Sequence, residues 1–245
     1  MSEQKWPDKI ILIRHGESVR NLMKEQPKSD ANRYVWADGL RDQDTPLTDT
    51  GLGQALTLGV HLAKTEPALN AVFVSPYRRT RQTAERILKG FLGHTSRGGP
   101  QGISADAVRD KDMPRLIVEE RVREIEFGVL DGLTHEGIQA KYPEELVRRE
   151  KEGKYWYRPP GGESRPDVAL RIHSFLGTLT RDYREQTVAV VAHSVVVLCF
   201  RRLLERWGEE EYLQVDREED VKNCSLTSYV FRDHRMVLEA YNRIC

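Results

Sequence analysis

The chain has 245 residues, of which 39% are hydrophobic and 31% charged, with 38 basic and 38 acidic side chains and a formal net charge of zero. That balance supports one packed domain with a well-solvated surface and excludes a protein that grips nucleic acid by bulk charge. Any anion site must therefore come from a local cluster of arginines.

In chain order, the first feature is the apolar run Ile10–Ile13, which ends abruptly in "RHGES". A polar segment with scattered aromatics follows over 19–46. "LTDTGLGQALTLGVHLAK" (47–64) reads as a helix with Thr48 or Asp49 as its cap and Leu52, Ala55, Leu56, Gly59 and Leu62 on one face. A second apolar run, "AVFV" (71–74), leads into "SPYRRTRQTAERILKGF", a strand end followed by a helix. Residues 93–113 are rich in Gly and polar side chains and read as a surface loop. "RLIV" (115–118) is a third short strand. The stretch 126–162, with "KYPEELVRREKEGKYWYRPPGG", breaks the strand–helix rhythm and reads, like 19–46, as a wall over a site. "RPDVALRIHSFLGTLTRDY" is a helix opening at Pro166 and Asp167, with Val168, Ile172, Phe175 and Leu179 on one face. "TVAVVA" (187–192) is the fourth strand, and "VVLCFRRLLERWG" a helix that stops at Gly208.

The apolar runs are continuous, not alternating, which is the pattern of strands covered on both faces. Alternation with helices implies an α/β domain, a parallel sheet layered between helices, spanning 1–245. In such sheets ligands bind outside the carboxyl ends of the strands. Three of these runs end in "RHGES", "SPYRRTRQTA" and "AHSVVV", so Arg14, His15, Arg78 and His193 are expected to meet there. Two guanidinium groups and two imidazoles suit a phosphate.

No apolar run approaches the roughly 18–20 residues of a membrane helix, and "MSEQKWPDK" lacks the apolar stretch of a secretion signal. Cys199, Cys224 and Cys245 have no paired spacing, which suggests reduced thiols and a cytoplasmic location. His61, His94, His135, His173 and His234 form no metal-ligand spacing, so no metal and no organic cofactor is expected. Partners are expected to be small: no nucleic acid, no membrane, and an oligomeric state that composition leaves open.

"LIRHGES", "PLTDTGLGQA" (46–55), "VSPYRRTRQTAE" (74–85), "EERVREIEFGVLDG" (119–132), "PPGGES" (159–164), "VVAHS" (190–194) and "NCSLT" (223–227) together resemble the histidine phosphatase superfamily, the phosphoglycerate-mutase-like fold. The ordered set covers nearly the whole of 10–230. The resemblance implies a three-layer α/β/α sandwich with a mostly parallel sheet and a small lid over the strand ends. It implies a phosphatase acting on a small phosphorylated substrate, a phosphosugar or a phosphopeptide, through a phosphohistidine. His15 would be the nucleophile, Arg14 and Arg78 the phosphate clamp, and His193 a catalytic donor to the phosphoryl group. Glu124 would be the general acid, with Glu126, two residues on, as its competitor. Asn21 matches a phosphate-donating position, and an ordinary loop Asn is an equal reading of that residue. Ser194 stands where the family usually has Gly, and its hydroxyl is a candidate phosphate donor. Two other activities fit the same resemblance: a phosphoglycerate mutase, disfavoured because Glu124 and His193 are only 69 residues apart, and a non-catalytic phosphate-binding module.

Overall fold

The computed structural model describes residues 5–25, 34–36, 39–66, 68–94 and 114–245. Most of the expected surface loop over 93–113 lies outside the described residues.

Six strands form one sheet: β1 (Lys9–Arg14), β2 (Leu69–Val74), β3 (Arg115–Val118), β4 (Thr187–Ala192), β5 (Leu226–Arg232) and β6 (Arg235–Arg243). Their order is β3-β2-β4-β1-β5-β6. The first four are parallel, and β5 and β6 close one side antiparallel. The helices are α1 (Val19–Glu25), α2 (Asp49–Thr65), α3 (Arg78–His94), α4 (His135–Lys141), α5 (Pro143–Trp156), α6 (Arg165–Asp182), α7 (Ser194–Glu205) and α8 (Glu209–Glu218).

The pleat explains why β1 is apolar throughout. Ile10 and Leu12 pack into the core formed with α6, α7 and Tyr212 of α8, whereas Ile11 and Ile13 pack into the core formed with α2 and α3. β1, β2 and β4 each feed both cores, and the result is the three-layer α/β/α sandwich expected from the sequence. Cys199 lies in the first core, fully buried.

The caps are local in origin. Thr48 Oγ1 accepts from Gly51 N at 3.0 Å and starts α2. The α6 helix opens one residue earlier than its proline suggests. Ser164 caps it reciprocally with Asp167, and Pro166 falls in the first turn, where its missing N–H costs nothing. The α7 helix ends before the expected Gly208, because Arg206 turns left-handed (φ 62). Gly208 instead caps α8.

The two wall segments are tied to each other. Trp36 N donates to Gly132 O at 3.1 Å and Thr134 N to Tyr34 O at 3.2 Å. The wall over 126–162 has helices of its own, α4 and α5. Strands β5 and β6 join through Asp233 and His234, both at positive φ (49 and 61), a two-residue hairpin turn.

Candidate active site

The parallel pairing of β1 with β4 brings their carboxyl ends level. Arg14 stands opposite Ala192, and His15 N donates to Ala192 O at 3.0 Å. The next residue on each strand is a histidine. His15 and His193 are both buried, with ring centroids 5.3 Å apart at 62°. Strand β2 arrives on the other side of β4, where Ser75 N donates to Val191 O, and the Ser75 hydroxyl lies 2.8 Å from His193 Nε2.

His15 Nδ1 lies 2.7 Å from Gly16 O. A carbonyl can only accept, so Nδ1 carries the proton and Nε2 keeps its lone pair. Burial and then the charges of Arg79 and Arg14 hold the imidazole well below its ordinary pKa, so it stays neutral. Gly16 is needed here for close approach. A Cβ at that position would stand 2.6 Å from Gly51 O, and Gly16 N donates to Thr83 Oγ1 at 3.1 Å. The glycine lets the His15 loop pass against the start of α2.

Arg14 is buried. Its Nη1 donates to Val221 O and contacts Asp220 Oδ2 at 3.3 Å. Its Nε is buried without a partner among the described residues. One edge of the guanidinium is thus anchored, and a donor is left over for a ligand.

The expectation for Arg78 is corrected. Arg78 is exposed, and its neighbour Arg79 is buried in the site. Arg79 Nη2 lies 3.2 Å from His193 Nδ1 and 2.8 Å from Asp42 Oδ2, and Nη1 donates to Asp42 O at 2.6 Å. The reason is helical geometry, since consecutive residues point about 100° apart. The buried face of α3 carries Arg79, Thr80, Thr83, Ala84, Ile87, Gly90 and Phe91. The outer face carries Arg78, Arg81, Glu85 and Lys89. The charged spacing 78, 81, 85, 89 was visible in the sequence and placed Arg78 on the solvent stripe. Arg79→Ala is therefore expected to lower kcat/KM for a phosphomonoester by about 10²–10³, the usual worth of a charge-stabilising donor. Arg78→Ala is expected to leave it nearly unchanged, a contrast that steady-state kinetics on the pair would check.

His193 is fully buried. A guanidinium only donates, so Arg79 requires a lone pair on His193 Nδ1, and the ring proton sits on Nε2, toward Ser75 Oγ. Burial, followed by the Arg79 charge, pushes its pKa well down. Donation from Nδ1 to a phosphoryl group thus needs the other tautomer or the protonated ring, which an arriving dianion favours.

Glu124 approaches from the third side, with Oε2 3.9 Å from His193 Nδ1 and Oε1 accepting from Ile125 N at 2.9 Å. Burial raises its pKa against the opposing charge of Arg79. The segment is held from behind. Glu163 accepts from Arg171 and from Glu126 N, and Arg171 donates to the carbonyls of Arg121 and Glu124. Glu126 is tied through its backbone to Glu163, and of the two it is Glu124 that reaches His193.

Asn21 Oδ1 accepts from Ser18 N, Ser18 Oγ and Asn223 Nδ2. That oxygen is consumed, so what Asn21 can offer a ligand is its amide NH₂. Asn223 also donates to His15 O at 3.0 Å. The Ser194 hydroxyl turns to Asp220 Oδ1 at 3.4 Å, so the expected phosphate donor at 194 is engaged with a carboxylate. The sequence reading missed Arg79, Ser75, Thr83, Asp42 and Asn223. The buried stripe of α3 carried a signal for two of them. Asp42, which bridges Arg79 and Arg20, had none.

The chain is 29% identical over 239 residues to the phosphoglycerate mutase-like protein AT74H of Arabidopsis thaliana, covering 89% of this chain and 72% of that one. It is 32% identical over 187 residues to phosphoserine phosphatase 1 of Hydrogenobacter thermophilus, covering 76% and 71%. The solved structure of Bacillus stearothermophilus YhfR superposes with a TM-score of 0.71 at 22% identity over 97% of this chain and 98% of that one, a likeness of fold. The sequence model of the histidine phosphatase superfamily, branch 1, matches residues 10–95 and 103–244. With nearly the whole chain matched and two histidines packed edge-on at the strand ends, this protein belongs to the histidine phosphatase superfamily.

Proposed function

We propose that the protein is a phosphoric monoester hydrolase that works through a phosphohistidine on His15. The observation that carries this reading is the pairing of a neutral, buried His15, its Nδ1 proton fixed on Gly16 O, with a partly buried Glu124 carboxyl 3.9 Å from His193 in the same cluster. His15 Nε2 attacks phosphorus as the P–O bond to the leaving group breaks. Glu124 gives its proton to the departing alkoxide. Water then attacks the phosphohistidine, returns a proton to Glu124 and releases inorganic phosphate. Arg14 and Arg79 carry the charge that spreads over the equatorial oxygens.

The ionisation states favour this division of labour. Catalysis needs His15 neutral and Glu124 protonated together. With ordinary values of 6.5 for His and 4.5 for Glu, the opposite pair, imidazolium and carboxylate, would dominate between those values. Lowering the first and raising the second both populate the competent pair.

The test is a panel of phosphosugars, nucleotides, phosphoglycerates, phosphopeptides and p-nitrophenyl phosphate. Release of inorganic phosphate, undiminished by excess EDTA, is expected, because the arginines supply the positive charge. Isomerisation of a phosphoglycerate without phosphate release would make the protein a mutase. Binding without turnover would make it a phosphate-binding module.

A further inference from the structure

The turn 222–225, between α8 and β5, gathers the backbone at the end of β1. Ser225 N donates to Lys222 O at 3.1 Å and closes the turn. Cys224 is left-handed within it (φ 52), a conformation that a residue other than glycine keeps only where its surroundings hold it. Here they do. The Cys224 side chain is buried in the core formed with α2 and α3, and Lys222 N donates to Asn242 Oδ1 at 2.8 Å. So held, Cys224 N donates to both Arg14 O, at 3.1 Å, and His15 O, at 3.2 Å.

The Asn223 side chain extends this grip to α1. Its Nδ2 lies 3.0 Å from His15 O and 3.2 Å from Asn21 Oδ1. Both amide orientations follow from donor and acceptor chemistry. Ser18 N can only donate, so the Asn21 atom that it meets is the oxygen. That oxygen and His15 O can only accept, so the Asn223 atom between them is the nitrogen, and each of its two hydrogens has a partner. One NH₂ group thus bridges the carbonyl of His15 and the side chain of Asn21, residues 208 and 202 positions away. Other ties of α1 run to the segment 40–46. Val19 N donates to Pro46 O at 3.0 Å, and Arg20 binds Asp42 at 2.9 Å. Those bonds fix the helix against that segment and not against His15.

A donor to a phosphoryl group is worth most when its own position is fixed by the groups behind it. From this we propose that Asn223 is a positioning residue for phosphate binding. Its amide nitrogen fixes the Asn21 side chain against the His15 backbone, so that the Asn21 NH₂ and the imidazole meet the same phosphoryl group. The proposal rests on that part of the phosphatase reading which places a phosphoryl group at His15.

A double-mutant cycle on the binding of inorganic phosphate, measured by titration calorimetry, separates positioning from a general loosening of the fold. Asn21→Ala is expected to weaken binding by about tenfold and Asn223→Ala by about threefold to tenfold, the range of single hydrogen bonds to a charged group. In the Asn21→Ala background, Asn223→Ala is expected to cost less than about twofold, because the group that it aims is gone. Thermal unfolding checks that each variant folds. Asn223→Asp, which keeps the shape of the side chain and loses both N–H bonds, completes the same cycle in place of an alanine variant that does not fold. Additive effects overturn the proposal, as does an Asn223→Ala protein or an Asn21→Ala protein that binds phosphate like the wild type. A wild type that does not bind phosphate overturns it together with the phosphatase reading. A wild type that binds phosphate and shows the coupling, but releases no phosphate from p-nitrophenyl phosphate, upholds the role of Asn223 and removes the phosphatase reading alone.

Discussion

Replacing His15 with alanine is expected to abolish turnover, a loss on the order of 10⁴-fold or more, as when the nucleophile of another covalent catalyst is removed. The effect should be chemical and not structural. The ring is buried, but its polar contact with the rest of the fold is the bond from Nδ1 to Gly16 O. Losing one such bond costs about 0.5–1.5 kcal/mol, and Gly16 keeps its N–H bond to Thr83. Thermal unfolding should therefore show a folded variant with no activity. Radiolabel from a phosphorylated substrate should appear on the wild type only, stable to base and labile to acid, as a phosphorus–nitrogen bond is. Normal turnover in the variant, or label on another residue, would remove His15 from the role.

The second large effect concerns Glu124. Glu124→Gln should slow hydrolysis of an alkyl phosphate by about 10²–10⁴, the range of general acid catalysis. It should slow p-nitrophenyl phosphate much less, because that leaving group departs without a proton. The pH dependence has a defined sign. His15 is pushed below its ordinary value, so activity should persist on the acid side of 6.5 and fall only as the imidazole is protonated at lower pH. Glu124 is pushed above its ordinary value of 4.5, so the alkyl phosphate rate should fall as pH rises through that elevated value. Glu124→Gln should lack this alkaline limb and keep the acid one. Glu126→Gln should affect both substrates weakly and equally. An exchange of behaviour between the two variants would make Glu126 the acid.

How much of this was legible in the chain varies with the range of the interaction involved. Apolar runs at 10–13, 71–74, 115–118 and 187–192 marked the four parallel strands; β1, β2 and β4 are apolar because both their faces are covered, whereas β3 is a largely exposed edge strand. The cap at Thr48 is likewise local chemistry. Strands β5 and β6 escaped notice. "LTSYVFR" and "RMVLEAYNR" mix polar with apolar residues, as antiparallel strands near a sheet edge do, and their hairpin turn carries Asp-His in place of the usual glycine.

In the site, His15, Arg14 and His193 were readable because each directly follows or ends a strand, and strand ends in a parallel sheet converge. By itself the sequence determined the four parallel strands, the residues at their ends and a chemistry of phosphate and imidazole. Tertiary structure alone decided the rest. It turned Glu124 toward His193 by clasping the chain behind it with Glu163 and Arg171. It set Asp42 between Arg20 and Arg79. These are contacts between residues 22 to 69 positions apart, and no local period or spacing in a chain encodes which distant side chains will share a charge.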